Sequence, residues 1–146
     1  MVKSFSADLR KFKGLTVEKM EKVVRASVQD VLEGAQTTAT GITKGGTLKV
    51  GNIPVAEGEL AGSLTSSVAG GGESVGEASY IVAIEGYKLG APMQFAWPMV
   101  YAMRIENGFV GTDALGREYN QPGWHFVGIN AAKWEEHVAK NAANLA

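Results

Sequence analysis

The chain of 146 residues contains no cysteine, only two histidines and only four prolines. Without thiols there are no disulfide staples, no thiolate metal sites and no cysteine nucleophile, which fits a reducing compartment. His125 and His137 lie twelve positions apart, outside the two-histidine helical spacing of zinc proteases, so no metal site is expected. No run of eighteen apolar residues occurs and the first residues lack a continuous apolar core, so the sequence predicts a soluble chain with neither secretion signal nor membrane span. The Ser residues lack a Gly-x-Ser-x-Gly elbow. Gly70, Gly71, Gly72 and Gly76 have neither the Gly-Lys-Ser/Thr ending nor the Gly-x-Gly-x-x-Gly spacing of a phosphate loop.

What is present suits one domain over residues 1–146, with 45% apolar residues and a net charge of -1. That charge hides an asymmetry. Residues 1–25 carry seven basic side chains against three acidic ones, net +4, while the remainder carries seven against twelve, net -5. A basic end on an acidic body favours a solvated helix face, an anionic partner, or self-association in which one subunit's end meets the next subunit's body.

The strongest period runs over residues 16–36, where Val17, Met20, Val24, Val28, Val31 and Ala35 recur at steps of three and four. Thr16 is the expected N-cap and Gly34 to Gly41 the stop, giving a helix of about 30 Å. From Thr37 to Gly76 Gly, Thr and Ser dominate; short strands are expected near Thr47–Val50 and Leu64–Val68, with a mobile hairpin tip or arm at Ala69–Glu77. "SYIVAIEG" (79–86) reads as a strand covered on both sides. Seven of the aromatics fall between residues 92 and 126 and predict a second core cluster. Asn107-Gly108 reads as a turn, Gly111–Gln121 as a surface loop, and Trp124–Leu145 as a second amphipathic helix. His137 is expected on the solvated side of that helix. The order implies an α+β domain: an antiparallel sheet packed against a long N-terminal helix and a C-terminal helix, with extended Gly-rich loops.

No reaction centre is legible, so the chain is not expected to be an enzyme and no catalytic, cofactor-binding or metal residue is assigned. Carboxylate pairs, Glu57 with Glu59 or Glu85 with Glu106, would suit acid–base hydrolysis if they met. Lys3, Arg10, Lys11 and Lys13 would suit a small DNA-binding module, but few aromatics interleave with them.

One set of short motifs is more telling. Pro54-Val55, Gly58, Leu60 and Ser63-Leu64 resemble the Pro-Val-Asp-Thr-Gly-x-Leu-x-x-Ser-Ile element of a family of tailed-phage tail-component proteins, also described as neck, tail-completion or head–tail joining proteins. Tyr101-Ala102, Glu106 and Gly108 resemble its Tyr-Ala-x-x-x-Glu-x-Gly element. Phe126-Val127 with Ala131 resembles the Phe-Leu-x-x-Ala that opens its C-terminal helix. Ala56-Glu57 stands where the family has Asp-Thr, His125 stands where proline often precedes the Phe, and Gly41–Asn52 is longer than usual. The resemblance implies a virion protein, made in the host cytoplasm, at the neck or the proximal end of the tail. It would form a homo-oligomeric ring on the order of six or twelve subunits, a closed symmetry built from two different patches per subunit. Its partners would be other neck, connector and tail proteins, with DNA passing through the lumen unread and no membrane involved. Tail-tube and head-decoration subunits are the structural alternatives. Physically, Pro54 and Gly58 let the chain turn sharply, Leu60 and Leu64 anchor the turn, Tyr101 and Ala102 pack on a neighbouring strand, and Glu106 is expected to accept N–H groups at the Asn107-Gly108 turn. Gly70, Gly71, Gly72 and Gly76 are the candidate assembly arm.

Overall fold

The helical period becomes α1 (Val17–Gln36), started as expected by Thr16, whose side chain accepts the Lys19 N–H at 3.2 Å. It belongs to a computed structural model that describes residues 16–39, 50–54 and 59–145. Thr37 ends the helix by donating its N–H to the Gly34 carbonyl and its hydroxyl to that of Glu33. Two stripes of α1 are buried. Val24, Val28 and Leu32 face one core, and Val23 faces another.

After α1 the chain makes a two-residue parallel pairing, β1 (Thr38–Ala39) with β2 (Ile53–Pro54), followed by the single turn α2 (Glu59–Gly62). Ile53, Leu60 and Leu64 are buried, so the corner is anchored as its sequence suggests. Val55 and Gly58 lie outside the described residues, as does the expected strand at Thr47–Val50 apart from Val50, which sits in a turn. Next come β3 (Thr65–Val68), β4 (Gly72–Val75), α3 (Ser79–Glu85) and β5 (Met93–Ala96). They form a three-stranded antiparallel sheet in the order β4-β3-β5. The Gly-rich run is therefore a hairpin turn and an edge strand instead of an extended loop. Gly70 and Gly72 take the left-handed φ values, 82° and 84°, that the turn requires.

Segment 79–86 is a helix, which corrects the expected strand. Its residues are apolar on nearly every position, and such a run satisfies both periods. Tertiary packing decides: Ser79, Ala83, Ile84 and Tyr87 are buried at helical spacing, while Ile81 and Val82 face out. Ser79 is fixed by donating its hydroxyl to the Leu64 carbonyl at 2.9 Å while accepting that of Ser66 at 2.8 Å. Leu64, Val68, Ala83, Ile84 and Tyr87 complete the core begun by Val24, Val28 and Leu32.

The second half holds α4 (Ala102–Asn107), β6 (Gly108–Thr112), β7 (Glu118–Pro122), α5 (Gly128–Ala131) and α6 (Trp134–Asn144). Two expectations change here. Gly111–Gln121 is mostly a β-hairpin, with Gly108 paired to Pro122 and Thr112 to Glu118, not a loop. The C-terminal helix is broken into α5 and α6, and its first residues, Trp124 to Val127, are not helical. The α+β architecture with a long N-terminal helix, a C-terminal helix and an antiparallel sheet stands.

α6 packs along α1 through Val138 and Ala142 against Val23. A polar latch runs beside this seam. The Asp30 carboxylate accepts from Asn141 at 2.9 Å, lies 3.0 Å from the Lys140 ammonium and 3.6 Å from His137 Nδ1. His137 is thus an α1 partner and not a freely solvated side chain. Burial pushes the Asp30 carboxyl up, but the hydrogen bonds from Asn141 and Lys140, with the charges of Lys140 and His137, outweigh it and hold the group below its ordinary 3.8. A depressed carboxyl contributes stability above its unfolded value and loses it as pH falls through the folded one. Asp30→Asn is therefore expected to melt below the wild type at neutral pH, by roughly 0.5–1 kcal/mol because the site is partly solvated. The gap should narrow as melts are taken at pH falling progressively below that ordinary 3.8; a gap unchanged there would contradict the latch.

The end of α1 carries a second polar device. Gln36 is buried; its amide nitrogen donates to the carbonyls of Ala61 and Glu77, each at 2.9 Å, and its oxygen accepts the Trp97 indole N–H at 2.9 Å. Gln36→Leu would leave those groups without it. A loss of about 2 kcal/mol, or roughly 4–8 °C in melting temperature, is expected.

Candidate functional site

The three motifs, distant in sequence, meet in one node. Its buried members are Ala35, Ile53, Leu60, Ala61 and Phe126, with Trp97, Tyr101, Ala102, Ile105 and Val127 packed around them. Leu60 comes from the first motif, Tyr101 and Ala102 from the second, Phe126 from the third. The Trp97 and Phe126 rings meet edge to face, 5.3 Å between centroids at 88°. Pro54 is half-buried at the end of β2, next to Ile53. Ser63 donates its hydroxyl back to the Leu60 carbonyl at 2.7 Å, closing α2, and Leu64 belongs to the adjoining core. Ala131 lies on the exposed side of α5 and takes no part in the node. Tyr101 and Ala102 sit at the start of α4 and pack on the cluster that includes Ile53 of β2.

Glu106 does more than its sequence position suggests. Its carboxylate does not serve the Asn107-Gly108 turn but reaches the start of α5, accepting the Val127 N–H at 3.0 Å and the Gly128 N–H at 2.7 Å. These are orphan donors of a helix N-terminus, where an anion is favoured. The same junction is sewn by backbone: the Trp124 N–H donates to the Ile105 carbonyl at 2.7 Å and the His125 N–H to that of Glu106 at 3.1 Å. The second and third motifs are thus two halves of one joint. Gly108 starts β6 with φ 83°, and a Cβ there would meet the Gln121 carbonyl at 2.5 Å.

His125 has φ 49°, the left-handed region. Proline, held near -65°, has no access to it. The departure from the family's proline at this position therefore goes with a different local backbone, and the cost of a non-glycine residue there is on the order of 1 kcal/mol.

Sequence reasoning missed Gln36 and Asn130 and took Gly34 for the start of the helix stop, although the helix runs on to Gln36. Buried Asn130 donates to the carbonyls of Gly51 at 2.9 Å and Phe126 at 2.7 Å, and Gly51 donates its N–H to the Trp124 carbonyl at 2.7 Å. A Cβ at Gly34 would sit on the Asn130 amide, so glycine lets α1 and α5 touch. The available signal was a polar residue at an apolar register: Gln36 follows the buried Ala35, and Asn130 falls between Phe126 and Trp134.

The β6–β7 hairpin stands out from this joint. Beyond their mutual pairing, its strands pack mainly on α4. Its tip is closed by Asp113, which accepts the N–H groups of Leu115 and Arg117, the Arg117 Nε–H and the Tyr119 hydroxyl, at 2.6–3.0 Å. Above all the Arg117 N–H holds this carboxyl below its ordinary value, against desolvation and with help from the other donors. Phe109 and Tyr119 lie 5.9 Å apart on one face, with the Arg104 guanidinium 4.0 Å above Phe109. Of the glycines proposed as an arm, Gly70, Gly71 and Gly72 are placed at the β3–β4 turn, while Gly76 follows β4 at the far end of the hairpin, its N–H tied to the Leu64 carbonyl at 2.9 Å.

An apolar concavity of about 350 Å³ between α1, β5 and α6 is lined by Val24, Val28, Tyr87, Met93, Phe95 and Trp134. Its one titratable group, the Tyr87 phenol, is pushed up by burial. Among the described residues no group of three or more His, Cys, Asp or Glu is placed to hold a metal ion, and no helix is long and apolar enough to cross a membrane. Glu85, exposed at the end of α3, and Glu106, bonded to two backbone N–H groups, share no hydrogen bond. Glu57, Lys3, Arg10, Lys11 and Lys13 lie outside the described residues. Compared with models of protein families, with curated proteins and with solved structures, the chain matches none.

Because Glu106 takes two backbone donors at a partly solvated joint, Glu106→Ala is expected to lower stability by about 1 kcal/mol in thermal melts. Glu106→Gln, with one acceptor oxygen instead of two, should recover roughly half. Equal stability of all three proteins would show that the joint does not need the carboxylate.

Proposed function

We propose that the protein is a structural virion subunit of a tailed phage, a neck or tail-completion protein that helps join head to tail as part of a ring around the DNA channel. The observation that carries this reading is the joint itself. Leu60, Tyr101, Ala102, Phe126 and Val127, from segments resembling three separate family elements, pack in one node, and Glu106 supplies hydrogen bonds at its seam.

The node's polar side chains also suit a mechanical part. Gln36, Asn130 and Glu106 all bond to backbone groups, so they fix the angles between α1, α2, α4 and α5. A subunit that holds a head to a tail transmits load through such fixed angles. Its partners in this reading are copies of itself and the neighbouring connector and tail proteins, and DNA in the lumen is not read by sequence.

The deciding experiment uses a phage or prophage that carries the gene. Gold-labelled antibody against the chain should decorate mature particles at the head–tail junction, and a gene deletion should yield filled heads and free tails. Label along the tail tube or over the capsid faces would move the protein to a tube or decoration role, and normal particles from the deletion would end the reading.

A further inference from the structure

The apolar concavity between α1, β5 and α6 lies in line with an apolar strip of α1 that outruns the core. Val24 and Val28 of α1, Met93 and Phe95 of β5 and Trp134 of α6 line it, around about 350 Å³. The Tyr87 phenol is already hydrogen-bonded to the Gly90 backbone, so a small polar ligand finds little here to orient it. On α1, Val17 falls between Val24 and Val28 around the helix axis, about 20° from each. Val17 is nevertheless 59% exposed, and Met20 beside it is half-buried. One apolar strip thus leads from the start of α1 into the concavity.

The sequence that precedes Thr16 carries a matching strip. Phe5, Leu9 and Phe12 recur at steps of four and three, with Val2 three residues earlier, and at helical spacing all four fall within about 80°. Lys3, Arg10 and Lys11 fall on the other side. Helix signals bracket the run. Ser4 suits an N-cap, Asp8 the first turn, Lys11 and Lys13 the last turn, and Gly14 the position after the end. Thr16, as N-cap of α1, holds extended angles, φ -70° and ψ 160°, so the backbone leaves the axis of α1 at that residue. Two helices joined by so short a link as Gly14 to Thr16 lie side by side and antiparallel.

We infer that residues 5–13 form a helix that folds back along α1 of the same chain and seats Phe5 in the concavity, with Val2 beside it. The reach fits. Thr16 to Val24 is about 12 Å along α1, and Phe5 to Lys13 spans about 13 Å as a helix. Phe12 and Leu9 then lie over Val17 and Met20, and Phe5 comes level with Val24. Lys3, Arg10 and Lys11 face water, so the basic end of the chain is the solvated back of an amphipathic helix. The tether makes the segment's own groove its preferred partner, because its effective concentration there exceeds that of any other copy. The contact requires neither a neck nor a ring.

The absence of cysteine makes the test clean. In the full chain, Val2→Cys is combined with Ala91→Cys at the wall of the concavity, or with Leu115→Cys at the β6–β7 tip, which is no part of it. Each double variant is treated with a short bis-maleimide. The first pair should bridge within one chain, and the second should give roughly tenfold less of that product. Bridges between chains in the first pair would give the groove to a neighbouring copy, and no bridge would leave it without this occupant; either result overturns the inference. A second arm reads the groove itself. Phe5→Asp and Leu9→Asp should melt below the wild type and raise the fluorescence of the apolar dye ANS several-fold, while Arg10→Gln, on the solvated side, should do neither. Phe5→Asp and Leu9→Asp behaving like Arg10→Gln would also overturn it.

Discussion

A single buried amide ties the two halves of this chain together. Gln36 ends α1 and uses both donors and its acceptor, on Ala61 of the corner, Glu77 at the end of the β3–β4 hairpin and Trp97 beyond β5. An amide buried without partners would cost several kcal/mol, so the three segments must be where they are for α1 to end in the interior. Trp97 then passes the constraint on, since its ring stands edge-on against Phe126. The core formed by α1, α3 and the sheet and the node around Phe126 are in this sense one body, hinged on one side chain that no apolar residue would replace.

Around that point the chain uses polar side chains to serve backbone more than one another. Glu106 completes the start of α5, Asn130 completes Gly51 and Phe126, and Ser79 completes Leu64. Apolar packing alone would let neighbouring elements slide, because it has no preferred direction. Hydrogen bonds to specific carbonyls and N–H groups fix direction. The consequence is a subunit whose corners are stiff and whose outer elements, the hairpin and the outer side of α3, stay exposed.

The sequence disclosed the parts whose signals are local. Thr16 and the three-and-four spacing of α1 are local, as is the anchoring of Leu60 and Leu64. α3 was misread because Tyr80–Ile84 is apolar at every position, and only the depth of Ser79, Ala83 and Tyr87, set by the sheet beneath, selects a helix. The β6–β7 hairpin was hidden by its polarity: with no face packed on a sheet, the strands need no apolar alternation. Its legible trace was the turn chemistry, Asp113 followed by Gly116 at φ 78°. The joint between Glu106 and Val127 spans 21 residues, and no local pattern announces a carboxylate that caps a helix so far along the chain.

The hairpin's shape is fixed almost entirely by its own residues and the short helix beneath it, through Asp113, Arg117, Tyr119, Phe109 and Arg104. It is therefore separable from the core in evolution. Substitutions at Val110 or Leu115 alter its surface without disturbing Gln36, Phe126 or Glu106. Substitutions can accumulate there while the interior is kept, so divergence should concentrate in this excursion and spare the corner.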